Sequence, residues 1–267
     1  MTRPSSPPIV GRDRELDLLA DLRTSAARGE GSVLLLSGDG GVGKTRLVRE
    51  LARLSKESGW QVMYGRAYAL ETAIAYAPFS DATEPVLSAM DGNLLLRLTR
   101  GDRSVLAALA PSLSSTPAGG SAAHADIRLG NGNAAEQHAR LHAGIMQLFA
   151  RLAERAPVLL ILENLQWADS ASIELFHFLA RQLSPHRILL VGTWNETERE
   201  LTDHLRTMVR SLRSLGVARD IRLEPLSPAA LGLLISQRFD VELADITSFV
   251  HELHEATRGN PFFVEQI

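Results

Sequence analysis

Residues 38–45 read GDGGVGKT, and this stretch decides the fold that the sequence predicts. It fits the pattern G-x-x-x-x-G-K-[ST], in which closely spaced glycines let the backbone wrap around phosphate groups. An apolar run, SVLLLSG at residues 32–38, precedes it, and TRLVRELARLSKES at residues 45–58 follows with a helical period. A strand, a glycine-rich loop and a helix in this order predict a phosphate-binding loop.

The loop predicts particular contacts with a nucleoside triphosphate. Its backbone N–H groups face the phosphates, and the following helix adds the positive end of its dipole. We expect Lys44 to reach the β- and γ-phosphate oxygens and Thr45 to place its hydroxyl on Mg²⁺. The candidate nucleotide-binding residues here are Gly38, Gly40, Gly41, Val42, Gly43, Lys44, Thr45 and Arg46.

Three further apolar runs of strand length occur along the chain. They are WQVMYGRA at residues 60–67, PVLLILEN at residues 157–164 and RILLVGTW at residues 187–194. Runs that are apolar on both faces are typical of strands in a buried parallel sheet. Because helical patterns separate these runs, the sequence predicts an α/β fold, a P-loop NTPase whose parallel sheet is flanked by helices.

Composition divides the chain into segments. Residues 1–8 are rich in Pro and Ser, so we expect a disordered tail. We expect residues 9–224 to form the P-loop NTPase α/β domain, with residues 114–137, rich in Gly, Ala, Ser and Asn, as a flexible insertion. The pattern of residues 225–267 predicts the start of a helical lid subdomain that is truncated within a helix, as in the front piece of a longer protein.

The overall composition argues against several classes of protein. With 45% hydrophobic and 22% charged residues among 267, it is typical of a globular chain, and no apolar run approaches the roughly 20 residues of a membrane helix. The absence of cysteine excludes disulfides and thiolate metal sites and fits a reducing compartment. The net charge of −3 differs from the strongly basic balance that is typical of a nucleic-acid-binding domain. We therefore expect a cytoplasmic protein with no membrane contact and no direct nucleic-acid binding by this segment.

Two polar residues, Glu163 and Asn164, end the run at residues 157–164. In P-loop enzymes a strand near the loop strand ends in an acid that holds magnesium, and Glu163 can do so with a longer arm. The next position usually carries an acid that polarises the attacking water, whereas an amide accepts a hydrogen bond but takes no proton. Asn164 therefore predicts slow hydrolysis with intact binding. The alternative is a strand that simply ends in polar residues.

Thr193 and Asn195 end the last predicted strand. Polar groups there can reach the γ-phosphate and report its presence, or they can simply end the strand. We take Glu163, Asn164 and Asn195 as candidate catalytic residues, and Thr45 and Glu163 as candidate metal ligands.

Two other patterns are better explained without a site. His138 and His142 are four residues apart on a predicted helix, but no third metal ligand is apparent nearby. An arginine stripe, formed by Arg206, Arg210 and Arg213, is typical of a solvated helix face, with a partner contact as the alternative.

Six motifs resemble a known family when taken together and in order. They are IVGRDREL (9–16), GDGGVGKTRL (38–47), YAPF (76–79), LENLQWADSAS (162–172), LLVGTW (189–194) and RGNPFF (258–263). They resemble the AAA-like nucleotide-binding module of signal-transduction ATPases with numerous domains, the STAND group. The nearest type is the one at the N-terminus of large LuxR-type transcriptional activators.

This resemblance implies an AAA+/STAND-like site for ATP or ADP with Mg²⁺. It places Val10, Gly11 and Arg12 beside the adenine and ribose, and it brings Pro261 to the base from the helical lid. Adenine also fits the lack of an N-K-x-D motif for guanine.

The hydrolytic half departs from the family pattern, whereas the binding half does not. Relatives usually have two aspartates where this chain has Glu163 and Asn164, and they often carry Arg where Asn195 stands. Arg199, four residues further on, is a candidate substitute for that Arg.

The residues and the resemblance together predict a switch module of a multidomain signalling or transcriptional regulator. We expect it to bind ATP or ADP, to change the angle between the α/β domain and the lid, and to hydrolyse ATP weakly as a reset. Sensor and effector domains of the same chain are the expected partners, with nucleotide-dependent self-association as a further expectation.

The alternatives are an active P-loop ATPase or phosphotransferase working on a separate substrate, and a ring-forming DNA translocase. The insertion at 114–137 contains a single arginine, Arg128, where a transferase lid needs several. A translocase needs a basic channel, which the net charge of −3 disfavours.

Overall fold

The computed structural model describes residues 9–114, 134–196, 202–239 and 241–264. Within them a five-stranded parallel sheet has the order β2-β3-β4-β1-β5. Its strands are β1 (Ser32–Gly38), β2 (Gln61–Arg66), β3 (Val158–Glu163), β4 (Ile188–Thr193) and β5 (Ala218–Leu223). The expected α/β fold with a parallel sheet is confirmed.

Helices lie on both faces of this sheet, and three more of the described helices follow the last strand along the chain. They are α1 (Asp13–Ala27), α2 (Lys44–Glu57), α3 (Ala77–Ser88), α4 (Gly92–Thr99), α5 (Arg103–Leu109), α6 (Pro111–Ser114), α7 (Ala134–Arg155), α8 (Ser170–Ala180), α9 (Asp203–Ser214), α10 (Pro228–Phe239), α11 (Thr247–Thr257) and α12 (Pro261–Val264). Two 3₁₀ turns, Leu165–Trp167 and Leu243–Ile246, complete the regular structure of the described residues.

The central strands are buried on both faces because their side chains alternate between two cores. In β1, Val33 and Leu35 face the core under α3 to α9, whereas Leu34 and Leu36 face the core under α1 and α2. All six residues of β3 and all six of β4 are buried. This double burial explains why apolar runs predicted these strands within one residue at each end.

Strand β5 has no such run, and the sequence analysis did not predict it. Its charged residues Arg219, Asp220 and Arg222 are exposed, and only Ile221 and Leu223 are buried. The strand lies at the edge of the sheet and pairs with β1 alone. An edge strand with one solvated face needs no continuous apolar sequence, so its pattern resembles that of a loop.

The predicted insertion at 114–137 requires a correction at its ends. Helix α6 includes residue 114, and α7 already begins at Ala134, so residues 134–137 are helical. The apolar side chains that hold α7 against the core occur later in the helix, from Leu141 onward, so its polar first turn gave no helical signal. Residues 115–133 and the predicted tail at 1–8 lie outside the described residues.

Helices α10 to α12 contain a small core of their own. Leu231, Ile235, Val250 and Leu253 are buried together there. Ser227 precedes α10 and caps it, since its Oγ accepts a hydrogen bond from the Ala230 N–H at 3.2 Å. A lid subdomain over residues 225–267 stays a prediction, and we refer to α10, α11 and α12 as the lid helices. None of the described helices has the length and apolar content needed to span a bilayer.

Candidate nucleotide-binding site

The phosphate loop connects β1 to α2 and depends on glycines with positive φ. Gly38 has a φ of 144° and Gly41 a φ of 82°, in the region where only glycine is unstrained. A Cβ on Gly38 would lie 2.5 Å from the Leu223 carbonyl oxygen, so the loop runs close against the end of β5. Val42, 1% exposed, anchors the loop in the core beside α1 and α2. The loop is therefore held at the carboxyl end of β1, where the sequence predicted it.

Lys44 begins α2 and lies against its own loop. Its Nζ donates hydrogen bonds to the carbonyl oxygens of Gly38 at 2.7 Å and Asp39 at 2.8 Å. Thr45 and Arg46 follow in the first helical turn and are half-buried. A phosphate in the loop would compete with these two carbonyls for the ammonium, because a charged oxygen is the stronger acceptor.

Glu163 ends β3 and is 1% exposed. Its Oε2 accepts hydrogen bonds from the Tyr64 hydroxyl at 2.5 Å and from Arg66 Nη2 at 2.7 Å. Both partners lie on β2, where Arg66 is in register with Glu163. Arg66 therefore compensates the buried carboxylate, whose charge would otherwise be costly to desolvate.

Tyr64 acts as a donor in this arrangement. Burial raises the pKa of its phenol, and the hydrogen bond to Glu163 raises it further. Glu163 also raises the pKa of Arg66 through their hydrogen bond. Tyr64 and Arg66 together form a clamp on Glu163 that the sequence did not predict, since no local motif marks either residue as a partner of the acid.

One oxygen of Glu163 remains available for a metal. Among the described residues, Oε1 is buried and has no hydrogen-bond partner. No group of three or more His, Asp or Glu in the described ranges is arranged to hold a metal ion. Mg²⁺ is commonly bound through one or two carboxylates together with substrate phosphates, so Oε1 and the Thr45 hydroxyl fit this ion and a nucleotide together.

Asn164 has a φ of 60°, in the left-handed region. Asparagine adopts this conformation more readily than most residues other than glycine, so the turn itself favours Asn here. Its N–H donates to Thr193 Oγ1 at 3.3 Å, which ties the end of β3 to the end of β4. Thr193 is thus a structural partner of Asn164.

Asn195 follows β4 and lies beside the phosphate loop. Its Nδ2 is 3.4 Å from the point that a Cβ on Gly40 would occupy. Its N–H donates to Oε1 of the buried Gln166 at 3.2 Å. The structure therefore brings Asn195 to the loop, as required for a contact with the γ-phosphate, and shows a role for Gln166 that the sequence analysis did not assign.

Gly11 packs on α10, and the next residue, Arg12, contacts the phosphate loop. A Cβ on Gly11 would lie 2.3 Å from the Ala230 Cβ, so the chain here packs closely on α10. Arg12 is 7% exposed. Its guanidinium donates hydrogen bonds to the carbonyl oxygens of Val42 at 3.1 Å and Glu224 at 2.6 Å. The predicted contact of Val10, Gly11 and Arg12 with adenine and ribose stays a prediction, while the Arg12 hydrogen bonds join the loop to the end of β5.

Pro261 begins α12, and its neighbours in sequence contact the phosphate loop. Asn260 Nδ2 donates to the Gly40 carbonyl at 2.8 Å. A Cβ on Gly41 would lie 2.5 Å from the Phe262 Cβ. The predicted approach of Pro261 to the base stays a prediction, whereas Asn260 is a contact that sequence reasoning missed.

The remaining candidates have structural partners. His142 is buried, its Nε2 lies 3.3 Å from the Tyr76 hydroxyl, and burial lowers its pKa. Its ring stacks on His138 with centroids 6.3 Å apart, consistent with a packed pair. In the arginine stripe, Arg206 pairs with Asp203 and Arg213 with Asp220. Arg199 lies outside the described residues.

Comparison with known proteins identifies the family of this site. A family model described as an AAA ATPase domain matches residues 8–191. An uncharacterized protein of Rhizobium meliloti (strain 1021) is 24% identical over 201 residues, which cover 70% of this chain and 18% of that protein. The chain thus spans less than a fifth of the length of this relative.

Solved structures share the fold at low sequence identity. A Walker-type ATPase of Pyrococcus abyssi has a TM-score of 0.53 and 12% identity, covering 98% of this chain and 67% of that one. Cdc6p of Pyrobaculum aerophilum has a TM-score of 0.52 and 18% identity, covering 88% of this chain and 52% of that one. The Aeropyrum pernix ORC1 protein, solved in complex with DNA, has a TM-score of 0.50 and 17% identity, covering 88% and 50%. The chain spans about half of the latter two structures.

Proposed function

The chain belongs to the AAA ATPase domain family, and we propose that it is an ATP- or ADP-binding switch module of STAND type with slow hydrolysis. The observation that carries this proposal is the contrast between a complete phosphate loop and a neighbouring acid held by other side chains. Glu163 Oε2 accepts hydrogen bonds from Tyr64 and Arg66, and amides stand at the position that would polarise the attacking water, Asn164, and at the position that would contact the γ-phosphate, Asn195.

The loop residues would bind the phosphates in the following way. Lys44 would exchange the carbonyls of Gly38 and Asp39 for the β- and γ-phosphate oxygens, and backbone N–H groups at the start of α2 would face the same anion. Bound Mg²⁺ would neutralise phosphate charge, held by the Thr45 hydroxyl and Glu163 Oε1.

Hydrolysis would be slow because the residue after Glu163, at the position where an acid would take a proton from water, is the amide Asn164. Asn164 can orient a water by accepting a hydrogen bond, but an amide does not take a proton at neutral pH. The Glu163 carboxylate is paired with Arg66 at 2.7 Å, and this ion pair opposes its use as a base. ATP would therefore persist long enough to hold one conformation of the module.

The switch would be read by other parts of a longer regulator in signalling or transcription. The Rhizobium relative extends well beyond the aligned region, which leaves room for sensor and effector domains. We propose a cytoplasmic protein, with self-association dependent on the nucleotide. We propose no direct nucleic-acid contact by this segment, because its net charge of −3 does not match a polyanion, although the ORC1 protein was solved with DNA.

The experiment is phosphate release from Mg-ATP with protein in excess over hours, alongside equilibrium binding of ATP and ADP. The control is Lys44→Ala, which removes the ammonium from the loop. Tight binding with release only slightly above this control supports a slow switch.

Two other results would contradict the proposal. Multiple turnovers within minutes, or release stimulated by a small acceptor, would favour the alternative of an active ATPase or phosphotransferase. Failure of the wild-type protein to bind either nucleotide would rule out a nucleotide switch altogether.

A further inference from the structure

Asn260 connects the lid helices to the phosphate loop through both ends of its side-chain amide. Its Nδ2 donates to the Gly40 carbonyl at 2.8 Å, across 220 residues of sequence. Its Oδ1 accepts a hydrogen bond from the Phe262 N–H at 3.1 Å and so caps the first turn of α12. A carboxylate or hydroxyl oxygen can accept the second contact, but the first needs a separate donor group that reaches the Gly40 carbonyl at the same time.

The contact is close as well as polar. A Cβ on Gly41 would lie 2.5 Å from the Phe262 Cβ and 2.8 Å from Asn260 Oδ1. The start of α12 therefore lies directly on two successive glycines of the loop. Any movement of the loop backbone at these positions must change this contact.

The loop side of the contact is linked to the phosphate site by Lys44. In the structure the Lys44 ammonium donates to the carbonyl of Asp39, the residue before Gly40. A nucleotide phosphate would draw Lys44 away and leave that carbonyl without this donor. The peptide between Asp39 and Gly40 can then reorient, because Gly40 and Gly41 have no side chains to restrict it.

The lid side of the contact is fixed to the lid helices. The Asn260 N–H donates to the Thr257 carbonyl at 3.1 Å, which ties the turn to the end of α11. The carbonyl of the preceding Gly259 accepts from the Leu226 N–H at 2.8 Å, and His254 Nε2 lies 3.0 Å from the Leu226 carbonyl. A displacement of Asn260 is therefore transmitted to α11 and to the segment that leads into α10.

From this geometry we propose that Asn260 is a positioning residue that couples the phosphate loop to the lid helices. The phosphates of the bound nucleotide set the orientation of the Gly40 carbonyl. Asn260 moves with that carbonyl and so displaces α10, α11 and α12. This inference rests on the proposed function, because the coupling operates only with a nucleotide in the loop. Coupling is reciprocal, so loss of the contact changes nucleotide affinity by the same factor as the lid response.

Asn260→Ser tests the coupling with little disturbance to the fold. Serine retains an oxygen that can cap α12 and adds no charge, but its side chain is one atom shorter and has no second polar atom to take the place of Nδ2 at the Gly40 carbonyl. Amide hydrogen exchange would be measured by mass spectrometry at residues 38–45 and 247–264, without nucleotide, with Mg-ADP and with Mg-ATP. Asn93→Ser, at an exposed asparagine in α4, is the matched control.

We expect the nucleotide-induced change at residues 38–45 to persist in Asn260→Ser and in the control. At residues 247–264 we expect the change to fall in Asn260→Ser by about two- to tenfold, the factor for losing one hydrogen bond, and to stay at the wild-type level in the control. The readout is the difference between nucleotide states, which a purely structural role of Asn260 would leave unchanged. Asn260→Asp keeps the cap and also removes the donor, so it should reproduce the result if serine frays α12.

A wild-type lid response in Asn260→Ser or Asn260→Asp, with an intact response in the loop, would overturn this inference alone. Absence of any nucleotide-induced change at residues 38–45 of the wild-type protein would overturn the proposed function and, with it, the coupling.

Discussion

The phosphate loop and the carboxyl ends of β3 and β4 lie on the same edge of the sheet, yet they are built in different ways. The loop consists of consecutive residues between β1 and α2, and its path depends on glycines with positive φ. The neighbouring edge is assembled from Tyr64 and Arg66 of β2, Glu163 at the end of β3 and Asn195 just after β4. The phosphate loop is thus a local feature of this chain, whereas the surroundings of Glu163 depend on contacts between distant segments.

The largest expected effect comes from breaking the loop. Lys44→Ala removes the one ammonium that the loop brings to the phosphates, and a hydrogen bond between charged groups is worth about 1.5–3 kcal/mol. We expect the Kd for ATP to rise by about 10- to 100-fold, measured by titration calorimetry. An equal loss of affinity in Lys56→Ala, a lysine in the last turn of α2, would show that the effect is general charge and not the loop.

The clamp on Glu163 is tested by Arg66→Ala. The change leaves a 1% exposed carboxylate without its cation, and because Arg66 is about one-third exposed we expect a loss of about 2 kcal/mol, less than for a fully buried pair. Denaturant unfolding measures it. Arg53→Ala, which removes two surface ion pairs on α2, is the control and should leave the midpoint nearly unchanged. Equal destabilisation by both variants would contradict a special role for Arg66.

Asn164→Asp tests whether the amide at this position limits the rate of ATP hydrolysis. Aspartate tolerates the left-handed conformation of this position and supplies a proton acceptor beside Glu163. We expect phosphate release to rise by about tenfold, below the usual 10²- to 10⁴-fold of general-base catalysis, because Glu163 remains bound to Arg66. Single-turnover assays with [γ-³²P]ATP measure the rate, and Asn93→Asp is the control. An unchanged rate would show that Asn164 is not what limits hydrolysis.

The smallest effect is a change in pH dependence. The pKa of Tyr64 is raised above its ordinary 10.0 by burial and by the hydrogen bond to Glu163, so its protonated form is favoured in the folded state. That stabilisation is complete below pH 10 and is lost as the pH rises further toward the folded-state pKa. Tyr64→Phe should lose about 1 kcal/mol at neutral pH and should show a shallower decline above pH 10, by denaturant unfolding. If the free energy of unfolding declines equally above pH 10 in the wild-type protein and in Tyr64→Phe, a group other than Tyr64 causes the decline.

Sequence reasoning worked best where neighbouring residues carry the structure. The runs that became β1, β3 and β4 are apolar because these strands are buried on both sides, and the loop motif sits between strand and helix as its chemistry requires. Helix α2 begins one residue before the predicted start, and Gly59 follows it with a φ of 77°, as expected of a residue after a helix end. In these cases the local pattern and the final environment agree.

The sequence pattern did not predict elements with one solvated face, or contacts between residues that are far apart along the chain. Strand β5 alternates charged and apolar residues at the sheet edge, and its short pattern resembles a loop. The start of α7 is polar and was assigned to the insertion. Asn195 was chosen for its position after a strand, but its contact with Gln166 depends on the packing of β3 against β4.

The sequence by itself determined the phosphate loop and the central strands, because glycine conformations, the Lys44–Thr45 pair and buried apolar runs act through adjacent residues. Only the tertiary structure decided what surrounds the loop. The parallel register of β2 and β3 places Arg66 against Glu163, and the return of the chain after α11 places Asn260 on Gly40. Such contacts join residues 97 and 220 positions apart, and because their energies depend on burial and distance, they exist only after the sheet and the lid helices have packed.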